Sequence, residues 1–192
     1  LRGETIRAIT GSMVAYEGDM TFKNAGMGGG DGFKAAFKRK MTGESLSFME
    51  VTGHGSVHFA VDAQHITLVQ LENDTMSVEA SQLLAIDGQV RMDVKFSGLR
   101  GATSGQGLFT TTVSGTGTIA LLSAGGPLIA LGVTPQTPLV ADPDAFVAFQ
   151  GQLNQSFVTD VTWRSAVGGG SGEAFSLRFD GHGVVYIQPE ER

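Results

Sequence analysis

The chain has 192 residues, 41% of them hydrophobic and 17% charged, with a formal net charge of −6. That balance fits one or two globular domains and excludes an intrinsically disordered chain. An acidic surface argues against nucleic acid, whose phosphates need clustered Lys and Arg, and the absence of cysteine excludes disulfides, thiolate nucleophiles and thiolate metal ligands. Glycine is abundant at 28 residues against 5 prolines, which suits an all-β chain rich in tight turns.

Taken in chain order, the apolar alternation predicts strands at residues 4–10, Ile66–Leu71, Thr75–Ala80, Leu83–Ile86, Gln89–Phe96, Leu108–Val113, Leu128–Val133, Phe146–Phe149, Phe157–Trp163 and Phe175–Phe179. Between Phe33 and Met41, apolar residues four apart (Phe33, Phe37, Met41) predict one short amphipathic helix flanked by Lys34, Lys38, Arg39 and Lys40. At most one or two short helices are expected. The most apolar run, Ile119 to Val133, is broken by Ser123, Gly125, Gly126 and Pro127, so no helical membrane span is expected, and no signal peptide is visible.

One phrase occurs three times: Met13-Val-Ala-Tyr-Glu-Gly18, Leu83-Leu-Ala-Ile-Asp-Gly88 and Phe146-Val-Ala-Phe-Gln-Gly151. Three further markers follow each copy in the same order. An aspartate precedes an aromatic by three (Asp19 and Phe22, Asp93 and Phe96, Asp160 and Trp163). A Gly-Glu or Gly-Gln comes next (Glu44, Gln106, Glu173), then a Gly-x-Gly (Gly53 to Gly55, Gly115 to Gly117, Gly181 to Gly183). A repeat of this length is one supersecondary unit that buries its face on its neighbours. The expected fold is therefore all-β: three short double-stranded β-helix or β-sandwich units packed with pseudo-threefold symmetry into one body. Their approximate spans are 13–75, 76–140 and 141–192, with the N-terminal strand 4–12 completing the third. The Gly-x-Gly elements are read as hairpin turns. From the aspartate to the Glu or Gln is 25 residues in the first copy and 13 in the others, which places a twelve-residue insertion around Gly28 to Lys40.

Candidate chemistry is sparse. Asp19, Asp93 and Asp160 are the most regular polar set, and three carboxylates on one axis could hold a hard cation. Repetition in every unit favours local backbone hydrogen bonding instead, which is the preferred reading. His54 and His182 occupy matching positions, but Thr116 replaces the third histidine. His58, four residues along a strand from His54, is too distant to share its metal. The runs Gly28 to Gly30 and Gly168 to Gly170 lack the Gly-Lys-Ser/Thr continuation of a phosphate loop, and no Gly-x-Ser-x-Gly occurs. No nucleophile, base and orienting group stand together, so no enzyme, cofactor or resident metal is expected. The interaction candidates are Phe33, Lys34, Phe37, Lys38, Arg39 and Lys40, facing an acidic partner or an anionic lipid surface.

The stretch Ile9-Thr-Gly-Ser-Met-Val-Ala-Tyr-Glu-Gly18, with Met41-Thr-Gly-Glu-Ser45, Gly53-His-Gly55 and Val78 to Gly88, resembles the altered-inheritance-of-mitochondria family of mitochondrial biogenesis proteins, which has many bacterial members. The resemblance implies a trp RNA-binding attenuation protein-like β fold that assembles into rings, and a homo-oligomer, with a trimer favoured. It implies location in the cytoplasm for a bacterial member and in the mitochondrion for a eukaryotic one. It carries no catalytic residues. The expected role is a non-enzymatic scaffold or a protein or membrane interaction module. The alternatives are a small-ligand or metal site between the lobes and, less favoured, an RNA-binding ring.

Overall fold

A computed structural model of the protein describes residues 1–26, 47–96, 109–159 and 175–190. It is all-β. Eleven strands run β1 (Arg2–Ile9), β2 (Met13–Gly26), β3 (Phe48–Phe59), β4 (His65–Glu79), β5 (Leu83–Asp87), β6 (Arg91–Phe96), β7 (Phe109–Ser123), β8 (Ile129–Val133), β9 (Leu139–Ala141), β10 (Phe146–Thr159) and β11 (Phe175–Ile187). The only helical element among the described residues is one 3-10 turn, Ala80–Gln82, opened by the Glu79 side chain accepting from Ser81 N–H.

The strands form a single sheet in the order β2-β3-β1-β5-β7-β4-β10-β11-β8, with β6 also on β7 and β9 also on β11. Every pairing is antiparallel. The repeated phrase is the strand that opens each unit. Its alanine faces the third residue after a Gly-x-Gly in all three places: Ala15 opposite His58, Ala85 opposite Ala120, Ala148 opposite Tyr186. The register shifts immediately before each alanine, between Met13 and Ala15, Leu83 and Ala85, and Phe146 and Ala148. A bulge bends a strand and raises its twist, so the phrase recurs because the same bend recurs.

The Gly-x-Gly elements are not turns. Gly53 and Gly55 lie inside β3, and Gly181 and Gly183 inside β11. Gly18 faces Gly55 and Gly151 faces Gly183, so two backbones cross where neither carries a side chain. Gly18 at φ +96° and Gly151 at φ +101° adopt a conformation that disfavours L side chains.

The first and last strands do not meet. β1 pairs with β3 and β5, and β11 is covered by β10, β8 and β9. The N-terminal strand thus joins the first hairpin, β2 with β3, to the second, β5 and β6 with β7, instead of completing the third, β10 with β11. The strands predicted separately at Ile66–Leu71 and Thr75–Ala80 are one strand, β4, with a register shift between Leu71 and Asp74 and Asn73 at φ +54°. Likewise Phe146–Phe149 and the start of Phe157–Trp163 are one strand, β10.

Three apolar clusters lie along the sheet. The first hairpin contributes Val51 and Met49 and β1 contributes Ala8, packed with Leu84 and Leu122. The central cluster gathers Leu71, Met76, Val113, Ile119 and Leu121 with Val147 of the third hairpin. The third is aromatic: Phe146 stacks on Phe179 at a centroid distance of 5.5 Å, and Phe149 lies against Phe179 at 5.7 Å.

Candidate functional site

The seam between the first and second hairpins holds a groove of about 630 Å³. The pairing builds it. Leu68 of β4 faces Ala120 of β7, and Ala120 faces Ala85 of β5, which faces Ala8 of β1. Small side chains in successive strands leave a trough, and Phe59, Leu68, Leu1 and Ile6 line it. Leu68 is 68% exposed, the most open large apolar residue among those described.

The polar groups at the groove are committed to local backbone or to side chains on neighbouring strands. The Glu4 carboxylate accepts from the Arg2 N–H, which holds it below the usual glutamate range. Asp87 accepts from the Gln89 N–H at 3.1 Å. Thr5 donates to or accepts from Thr52 across the strands at 3.0 Å. These groups shape an apolar groove and supply no nucleophile and base in contact. Beneath it, Arg7 of β1 donates to the Val90 carbonyl, while its Nε is buried without a partner among the described residues.

The polar candidates lie elsewhere. Asp19 is exposed on β2 directly opposite His54, and Asp93 is exposed on β6 opposite Thr112. Measured from the Gly-x-Gly, these are different registers, and the position matching Asp19 in the third hairpin is Gln152, opposite His182. A Cβ placed on Gly3 would lie 3.8 Å from the His54 ring. β1, β5, β7, β4 and β10 lie between β3 and β11 in the sheet, so His54 and His182 are not neighbours in it. Among the described residues no three His, Asp or Glu side chains gather in a metal-binding arrangement. Asp160 and the interaction candidates Phe33, Lys34, Phe37, Lys38, Arg39 and Lys40 lie outside the described residues. No helix among the described residues is long and apolar enough to cross a membrane.

Sequence reasoning missed where the exposed apolar side chains gather. Among the described residues, Val14, Tyr16, Leu68, Ile129 and Val140 are the large apolar ones left open. All but Leu68 sit on β2, β8 or β9, the strands at the two ends of the sheet. The signal was present in the repeated phrase: Val14 and Tyr16 flank Ala15 at the positions that Leu84 and Ile86, and Val147 and Phe149, hold in the other copies.

No curated protein matches the chain significantly. A crystal structure of protein SPYM3_0169 from Streptococcus pyogenes superposes with a TM-score of 0.71 at 23% identity, covering 99% of this chain and 85% of that one, and it shows a shared fold. The profile of the mitochondrial biogenesis AIM24 family matches residues 1–190. With that match over nearly its whole length, the chain belongs to the mitochondrial biogenesis AIM24 family.

Proposed function

We propose that this protein is a non-enzymatic scaffold that assembles with copies of itself and presents the resulting surface to other molecules. The observation that carries the reading is the placement of exposed apolar side chains on the terminal strands of the sheet, with Val14 at 62% and Tyr16 at 53% exposure. An uncovered apolar strand edge is an aggregation hazard that folded proteins cover, blunt or use. The basic insertion around Phe33 to Lys40 is proposed as the contact to an acidic partner or an anionic lipid surface. Light scattering on the purified chain is expected to give the mass of about three chains. The mass of a single chain at micromolar concentration would remove this reading.

The apolar groove favours a second reading, a small apolar ligand held between the first two hairpins. Filling the trough with Ala120→Leu would then abolish uptake of an environment-sensitive apolar dye while leaving the assembled mass unchanged. Dye uptake that persists in the filled variant argues against it.

A further inference from the structure

We infer that a second copy of this chain docks head to tail on the first, β9 of one copy pairing antiparallel with β2 of the next, with Ala141 opposite Ala15. The inference rests on the self-assembly reading above and assigns the surface and register it uses.

The chain already contains this join twice. On the far side of each returning strand lies one more strand in a common register: Ile6 faces Val51, Met76 faces Val113, and Leu139 faces Phe179. Two residues on, Ala8 faces Met49, Val78 faces Thr111, and Ala141 faces Leu177. The first two of these strands then reach the next hairpin. Ala8 faces Ala85, and Val78 faces Ala148, so in both joins the repeated alanine receives the same position of the preceding strand. β9 has the position, Ala141, and among the described residues no strand on its outer edge. β2 has the alanine, Ala15, and likewise no strand beyond it. They belong to opposite ends of the sheet path, so the partner is another copy.

Burial follows the same logic. Leu84, Ala85 and Ile86 are 2%, 7% and 1% exposed where β1 covers them, and Val147 and Ala148 are fully buried where β4 does. The matching Val14 and Tyr16 are open. In the inferred register Tyr16 faces Val140, itself 44% exposed, so two of the exposed apolar side chains become cross-strand neighbours. The polar groups also fit. At the second join Gln150 donates to Asp74; the matching pair is Glu17 and Thr137, a carboxylate and a hydroxyl with no like charge. At the first join the Gly88 N–H donates to the Thr5 carbonyl at 2.8 Å. The counterparts are Gly18 and Pro138, and proline keeps the carbonyl that this bond uses. The join is heterologous, so repeating it generates a ring where the rotation between copies closes and an open filament where it does not.

The test uses the full chain. Tyr16→Lys and Val140→Lys, each at an exposed position, are expected to elute as single chains with the wild-type circular dichroism spectrum. Tyr16→Lys combined with Val140→Glu restores assembly, because each join then sets Lys against Glu. The chain has no cysteine, so Ala15→Cys with Ala141→Cys in one chain reports the register directly. Mild oxidation is expected to link several chains into a ladder on a non-reducing gel. An internal link within single chains overturns the inference. So does unchanged assembly of both lysine variants, which leaves the scaffold reading standing. A wild-type chain that is itself monomeric removes both.

Discussion

The recurring glycines owe their positions to contact between strands. A Cβ placed on Gly151 would stand 2.7 Å from the His182 carbonyl oxygen, and the residue holds φ at +101°. Gly151→Ala is therefore expected to cost about 2–4 kcal/mol, from backbone strain and a steric clash together, read as a fall in the urea midpoint. Gly132 is the control: nothing lies within 4 Å of its Cβ position, so Gly132→Ala is expected to stay within about 0.5 kcal/mol of the wild type. Phe179 is fully buried against Phe146 and Phe149; Phe179→Ala is expected to lose about 3–5 kcal/mol by the same measurement. The glycine pattern was legible in the sequence, and its meaning was not. A turn and a mid-strand crossing both ask for glycine, and only the partner strand distinguishes them. The polar candidates show the same limit. Asp19 and Asp93 keep the same spacing to an aromatic residue but different registers to the strand opposite, which spacing along one strand does not report.

Among the elements, β4 shows most clearly what alternation alone leaves out. Its middle reads Glu72-Asn-Asp74, a turn by composition, yet asparagine tolerates the positive φ of a bulge and the strand continues through it. Just past that bulge the Asp74 carboxylate accepts from the Gln150 side chain and from the Thr75 N–H, which hold its pKa below the usual aspartate range. A depressed folded-state pKa adds stability that is present above the unfolded pKa, and this stability is lost as pH falls through the folded value. Between about pH 5 and about pH 3, the urea midpoint of the wild type is therefore expected to fall further than that of Asp74→Asn. Equal falls would show that the Gln150 contact contributes nothing to the join of β4 and β10. Eight of the eleven described strands overlap a segment marked by its apolar residues, while β2 and β9 were not marked and the glycines of β3 were read as a turn.

Across the whole molecule, the all-β class and the threefold phrase were legible, and the order of strands in the sheet was not. Nothing in residues 2–9 says that their neighbours are β3 and β5, because both edges of a strand offer the same backbone donors and acceptors. That placement has a consequence in time. A ribosome releases β2 and β3 early, and they can zip together at once. β1, synthesised before both, waits for its second neighbour until residues 85–87 emerge, and β4 waits for residues 148–150. Each hairpin is thus fastened by a later stretch of chain, and the protein is stitched forward from its N-terminus. The outer edge of β2 is made near the start, yet no later described strand of the same polypeptide covers it. In a growing assembly, the oldest edge of each chain would be the one still open when synthesis ends.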